Sequence, residues 1–190
     1  MNTSKKSSAK EKILQTVVSI LLDKTNIEDI TVRSIADKAK VNSALINYYF
    51  NSKDELINQA VEVCMGSITE KMYKDVNLQN NPIERLRKMI IDIADFSFHT
   101  TYLSRIAVSN DLNNGSINTG QILQPVLKEI YPKKTDIELI IIAMQIIIPI
   151  QVLFLNTEEY NKYLHLQLED KTARDKILHQ IINNILYISV

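Results

Sequence analysis

Between residues 31 and 53, short polar and basic side chains recur at spacings that two short helices would turn to one side. They are Thr31, Ser43, Asn47 and Lys53. Ser43 and Asn47 stand four apart, so a helix through them shows both on one face. Each carries hydrogen-bonding atoms on a short stem, which suits close contact with a flat polar edge. Thr31, with the helix end it begins, and Lys53 suit a different partner. Unpaired N–H groups at a helix start, together with a nearby ammonium, hold an anion such as a phosphate.

Elsewhere the chain offers little for catalysis. His99, His165 and His179 are scattered, and no carboxylate is spaced with them as a ligand set, so no metal is expected. Ser, His and Asp all occur, but no nucleophile–base arrangement stands out. Cys64 is the only cysteine, which excludes an intramolecular disulfide or a CxxC site and points to a reducing cytoplasm. No two of the three glycines, Gly66, Gly115 and Gly120, lie within three positions of each other. Gly-rich phosphate loops are therefore excluded, and no cofactor is expected.

Helical elements must position these residues. Over residues 10–24, Ile13, Leu14, Val17, Val18 and Leu21 make one amphipathic face. Thr31 is an N-cap, followed by Val32, Ile35, Ala36 and Ala39 as a buried stripe. After a break at Lys40 and Val41, Asn42 caps a short helix over 43–49, with Ala44, Leu45 and Tyr48 on one side. Ser52 and Glu55 have the form of a capping box that opens a long helix to about Tyr73. That helix carries Leu56, Ala60, Val63, Cys64, Ile68 and Met72 inward. After a polar stretch over 77–81, Pro82 suits the first position of a helix to about His99. Its apolar register is Ile83, Leu86, Ile90, Ile93 and Ala94. Helical segments follow over 102–112 and 121–131, the latter despite Pro125, with a turn at 113–116 between them. Residues 137–155 are the most apolar segment. A polar stretch over 156–170 precedes a last helix over 172–188. The fold class is all-α, with eight to ten helices.

The 190 residues hold 22 Lys/Arg and 22 Asp/Glu, a net charge of zero that argues against coating nucleic acid by charge alone. The balance is uneven along the chain. Residues 1–53 hold 9 basic against 5 acidic side chains, and the rest 13 against 17. A +4 head on a −4 body points to a nucleic-acid-facing N-terminus. Lys5, Lys6, Lys10 and Lys12 read either as a solvated tail or as a basic arm that adds salt-sensitive affinity. No apolar segment of the secretory kind follows these lysines.

A helix of about eight residues, a turn of three or four and a second short helix make a helix-turn-helix. Its second helix enters the DNA major groove. Residues 31–36 (Thr-Val-Arg-Ser-Ile-Ala), 41–50 (Val-Asn-Ser-Ala-Leu-Ile-Asn-Tyr-Tyr-Phe) and 52–56 (Ser-Lys-Asp-Glu-Leu) resemble the DNA-binding domain of TetR-type transcriptional regulators. The aromatic pair before Phe50 and the Ser-Lys pair after it are the most specific part. The resemblance implies that Thr31, Tyr48, Tyr49 and Lys53 touch phosphates and that Ser43, Ala44 and Asn47 face base edges. Arg33 would reach the backbone or a flanking base. Two residues depart from the family. Lys40 stands where a turn glycine is usual, and a positive φ there would cost about 1–2 kcal/mol. Asn47 stands where Tyr is commoner, which alters sequence preference.

Residues 1–51 thus read as the helix-turn-helix domain and 52–190 as a helical ligand-binding and dimerisation domain. Length alone makes 137–155 a membrane-span candidate. Its interruption by Glu138, Gln145, Pro149 and Gln151 favours burial within protein, and no membrane partner is expected. The resemblance implies that this helix and the last one, 172–188, pair with their copies in a homodimer. Helices from Pro82 to Tyr131 would enclose a partly hydrophobic small-molecule effector, with Met89, Phe96, Phe98, His99, Tyr102, Met144 and Gln145 as candidate walls. The function implied is a cytoplasmic DNA-binding repressor, not an enzyme, released by its effector from a near-palindromic operator in double-stranded DNA. A helical interaction protein that has lost specific DNA binding, and a small helical enzyme, are the alternatives. Cys64 reads as a small core residue, with redox sensing as its other reading.

Overall fold

Short polar side chains set the helix starts. The Thr31 hydroxyl accepts the Ser34 N–H at 3.1 Å, and Ser34 Oγ accepts the Thr31 N–H at 3.0 Å, a reciprocal capping box. Asn42 accepts from the Ala44 N–H at 2.9 Å, Ser52 from Glu55 at 3.0 Å and Asn81 from Ile83 at 2.9 Å. Thr135 and Glu138 form a second capping box. These caps satisfy N–H groups that a helix start leaves orphaned.

The computed structural model describes residues 3–23, 30–76 and 81–188, with side chains described over 9–23, 30–68 and 81–186. The described residues form ten α-helices and no strand. In chain order they are α1 (Thr3–Leu22), α2 (Val32–Ala39), α3 (Ser43–Tyr49), α4 (Lys53–Val76) and α5 (Pro82–His99). Then follow α6 (Thr101–Asn113), α7 (Ile117–Ile130), α8 (Asp136–Leu155), α9 (Thr157–Leu164) and α10 (Lys171–Ile188). Contacts group Met1–Glu70 with Tyr102–Ala107 as one unit, and Lys71–Thr101 with Val108–Val190 as a second. The expected division after residue 51 falls just before α4, whose residues to Glu70 group with the first unit.

In the first unit, α1 packs on α2 and α3. Ile13, Val17, Ile20 and Leu21 of α1 are buried, as are Ile35, Ala36 and Ala39 of α2. Two expected faces need correction. On α3 the inward residue is Ile46, while Ala44 and Tyr48 lie exposed. A seven-residue helix has too few turns for its pattern to separate the two sides. On α4, Val63 is 41% exposed, and Ile57 and Val61 are buried with Leu56, Ala60 and Cys64. The inward placement expected of Met72, the turn over 77–80, and Lys5 and Lys6 fall outside the described side chains.

The second unit is built on α7 against α8 and α5, with α10 against α5 and α8. Its core is aliphatic, led by Leu86, Leu123, Leu127, Leu139, Ile146 and Ile182. On α5, Met89 is buried and Ile93 only half-buried. The turn after α6 forms at Gly115 (φ 76°) and Ser116 (φ 56°), so α7 starts at Ile117, earlier than its pattern indicates. The stretch over 156–170 is not all irregular, because α9 lies within it. None of α9's residues is buried, so it has no apolar stripe to betray it. By length and composition, α8 is long and apolar enough to cross a membrane. Seven of its residues, from Leu139 to Phe154, are buried in the unit.

Candidate nucleic-acid interface

The turn between α2 and α3 is closed by Lys40 at φ 53°, ψ 48°, in the left-handed region. The Lys40 N–H donates to Asp37 O at 3.2 Å and the Val41 N–H to Ala36 O at 3.0 Å. These bonds satisfy the last carbonyls of α2 in the way a C-terminal glycine usually does. The chain therefore keeps the positive φ without the glycine, and the lysine side chain is exposed at the tip.

Ile46, 1% exposed, and Phe50, 2% exposed, fix the inner side of α3. Ser43, Ala44, Asn47 and Tyr48 lie exposed, with Tyr48 at 67%. Tyr49 is half-buried. The Tyr48 and Tyr49 rings meet edge to face, their centroids 5.2 Å apart, and Tyr49 meets Phe50 at 6.4 Å. Thr31 and Arg33 are exposed at the start of α2. The site thus presents three small or amide side chains on the outer side of a short helix, with tyrosine and basic groups beside them.

Two contacts here escape sequence reasoning. The Lys53 ammonium donates to Ile30 O at 3.2 Å, joining the start of α4 to the residue before the α2 cap. An ammonium has three donors, so this bond positions Lys53 and leaves donors for an anion. Lys10 of α1 lies 5.5 Å from the centroid of the Phe50 ring, a cation–π contact at the end of α3. Both join residues too far apart in sequence for local spacing to reveal.

Residues 21–60 match the family described as bacterial regulatory proteins, tetR family. Over these residues the chain is similar to that family. The fold agrees with solved structures of such regulators over most of their length. A TetR-like transcriptional regulator from Rhodococcus sp. RHA1 aligns with a TM-score of 0.53 at 14% identity, covering 92% of this chain and 93% of that one. The fatty acid degradation regulator FadR from Bacillus halodurans aligns with a TM-score of 0.56 at 15% identity, covering 94% of each. No curated protein matches the sequence. The all-α fold is the one these regulators share.

The effector candidates lie on α5, α6 and α8 and differ in burial. Met89 is buried in the second unit's core, and Phe96 is half-buried on the same helix. Phe98 packs edge to face on Phe154 at 5.2 Å, with the Arg174 guanidinium 4.5 Å from its ring centroid. His99 is exposed, its Nδ1 2.7 Å from Asp95 O. Tyr102 is 38% exposed and groups with the first unit. Met144 and Gln145 lie on the exposed side of α8, which also carries Ile137, Ile140 and Ile141. Burial pushes the Cys64 thiol up, away from the thiolate that redox sensing needs.

The second unit also holds polar groups that carry no functional signature in the sequence. Arg174 is 3% exposed and donates to Asp95 Oδ1, and to Leu168 O at 2.9 Å. Lys171 donates to Asp95 Oδ2 at 2.6 Å. Burial raises the Asp95 carboxyl, but the hydrogen bonds from Lys171 and Arg174 outweigh it and hold the group below its ordinary value. Gln151, which the sequence reading noted only as an interruption, is buried. A glutamine inside an otherwise apolar helix was the one available signal of a partner there.

Proposed function

We propose that this regulator is a cytoplasmic homodimeric repressor, released from a near-palindromic operator by a small, partly hydrophobic molecule. The observation that carries the reading is the uncovered apolar face of α8. Ile137 is 72% exposed, Ile140 48%, Ile141 49% and Met144 39%. They recur at spacings of three and four, so they form one stripe along the helix. An exposed stripe of this length fits a partner surface, and a second copy of the same helix supplies one by two-fold symmetry. Gln145 lies beside the stripe and goes with it. The half-buried Ile177 and Ile181 of α10 would extend the same face.

Two-fold symmetry then supplies two copies of α3 for two half-sites. Ser43, Ala44 and Asn47 would read base edges, while Thr31, Tyr48, Tyr49 and Lys53 would hold phosphates and Arg33 a phosphate or flanking base. An effector that binds one dimer conformation better than the other changes operator affinity through the free-energy difference. Typical couplings of about 1–3 kcal/mol give about 5–150-fold. Met89, Phe96, Phe98 and His99 of the second unit remain its candidate contacts. That FadR from Bacillus halodurans is a fatty acid degradation regulator supports an effector with an apolar body.

Selection of bound sequences from random duplexes by the full chain tests the proposal. Enriched sites should be inverted repeats, their half-sites about one helical turn apart, with two chains per site. Enrichment of single, unrepeated sites, or no enrichment, would overturn it.

A further inference from the structure

Gln151 sits within the most apolar helix of the chain, yet it is buried and hydrogen-bonded through both its nitrogen and its oxygen. Its amide donates to Asp111 Oδ2 at 2.8 Å, and its carbonyl accepts the Ser116 hydroxyl at 2.6 Å. The Thr119 hydroxyl donates to the same Asp111 oxygen. The backbone is bent to allow this, with Ser116 in the left-handed region and its N–H donating to Asp111 O at 2.7 Å. Thr119 of α7 and Gln151 of α8 thus converge on one oxygen of the α6 carboxylate, and Ser116 in the turn holds Gln151. They leave the other, Asp111 Oδ1, buried with no hydrogen-bond partner.

Asp111 is 8% exposed, and none of the ion pairs among the described residues includes it. One turn to either side of Gln151 on α8 stand Ile147 and Phe154, each 5% exposed. A carboxylate without a counter-charge in such surroundings is costly. A cation beside it would gain far more there than in water. If the cluster served only to fasten the turn to α8, the bonds at Oδ2 would suffice. A buried and unpaired Oδ1 is the sort of local cost that functional sites carry.

We propose that Asp111 Oδ1 receives the protonated amine head of the effector, whose apolar body lies along the aliphatic interior of the second unit. The inference rests on the ligand-released reading above and names its ligand class. Gln151, Ser116 and Thr119 are positioning residues that orient the carboxylate. A ligand with a carboxylate head meets like charge at this point and is rejected.

Calorimetric titration of the full chain at neutral pH with n-octylamine, n-octanol and octanoate tests the anchor. Octylamine should bind at least roughly ten-fold more tightly than octanol, and octanoate not at all. Asp111→Asn should lose at least that factor for octylamine while its melting temperature stays level or rises, because an unpaired buried charge has gone. Equal binding of amine and alcohol, preference for octanoate, no amine binding (a buried water only), or unchanged amine affinity in the variant would each overturn the anchor. The head-group comparison on the unmodified chain decides the matter even where the variant fails to fold. Release of a selected operator duplex is read separately. Octylamine that binds without releasing DNA supports the anchor and contradicts the ligand-released reading. Release by octanoate alone does the opposite.

Discussion

At Lys40 the backbone holds a left-handed conformation that a glycine adopts freely and a lysine does not. Lys40→Gly should therefore stabilise the chain by about 1 kcal/mol, seen as a higher urea midpoint. A lower midpoint would mean that the side chain contributes more than the strain costs. The residue scale also separates reading from holding. Asn47→Ala should change the ranking of operator variants, costing about 1–3 kcal/mol at one base position. Tyr48→Phe should weaken all duplexes alike, and equal losses on every sequence for both variants would contradict that division. The turn was legible because the eight-residue helix before it and Asn42 after it leave room for nothing else. The Lys53 bond to Ile30 was not, since the partners stand 23 residues apart. Its place at a helix start and the resemblance assigned Lys53 to a phosphate and gave no hint of that carbonyl.

The junction of α5 with α10 depends on one carboxylate shared by two cations. Asp95 in the folded chain lies below its ordinary value of 3.8, so its contribution is fully present above that value. It is lost as pH falls through the lower, folded value. Melting temperatures taken from neutral to strongly acidic pH should show the unmodified chain losing more stability than Asp95→Asn below about pH 4. At neutral pH that variant should be destabilised by about 2 kcal/mol, because it leaves the Arg174 charge buried with weaker partners. The Asp95 side chain is 26% exposed, and solvent screening there keeps the loss below that of a fully buried pair. Parallel acid profiles for the two chains would contradict the role given to Asp95. Most helices were legible from their apolar period, since each buries one face. Among the described residues α9 escaped because it buries no residue, and α3 was too short for its inner side to be read.

Across the whole molecule, the zero net charge resolves into a basic first quarter and an acidic remainder. The acidic part should be repelled by DNA, so binding should be oriented through α3 and not spread over the surface. Dimerisation through α8 has its own check. Ile141→Glu places a charge on the exposed stripe without touching the buried face, and sedimentation should show the variant as monomer where the unmodified chain is dimer. Unchanged dimers would move the interface elsewhere. The helix pair of the proposed DNA contact was legible from a motif, whereas the orientation of α8 toward an effector site was not. Met144 and Gln145 were expected to wall it but lie on the exposed side of α8, because an apolar helix does not announce which face the core takes. Binding of the full chain to duplex DNA as a function of salt tests the central claim most directly. The logarithm of affinity should fall linearly with the logarithm of salt concentration, with a slope of about −0.9 per phosphate contacted. No affinity for duplex DNA at low salt would contradict it.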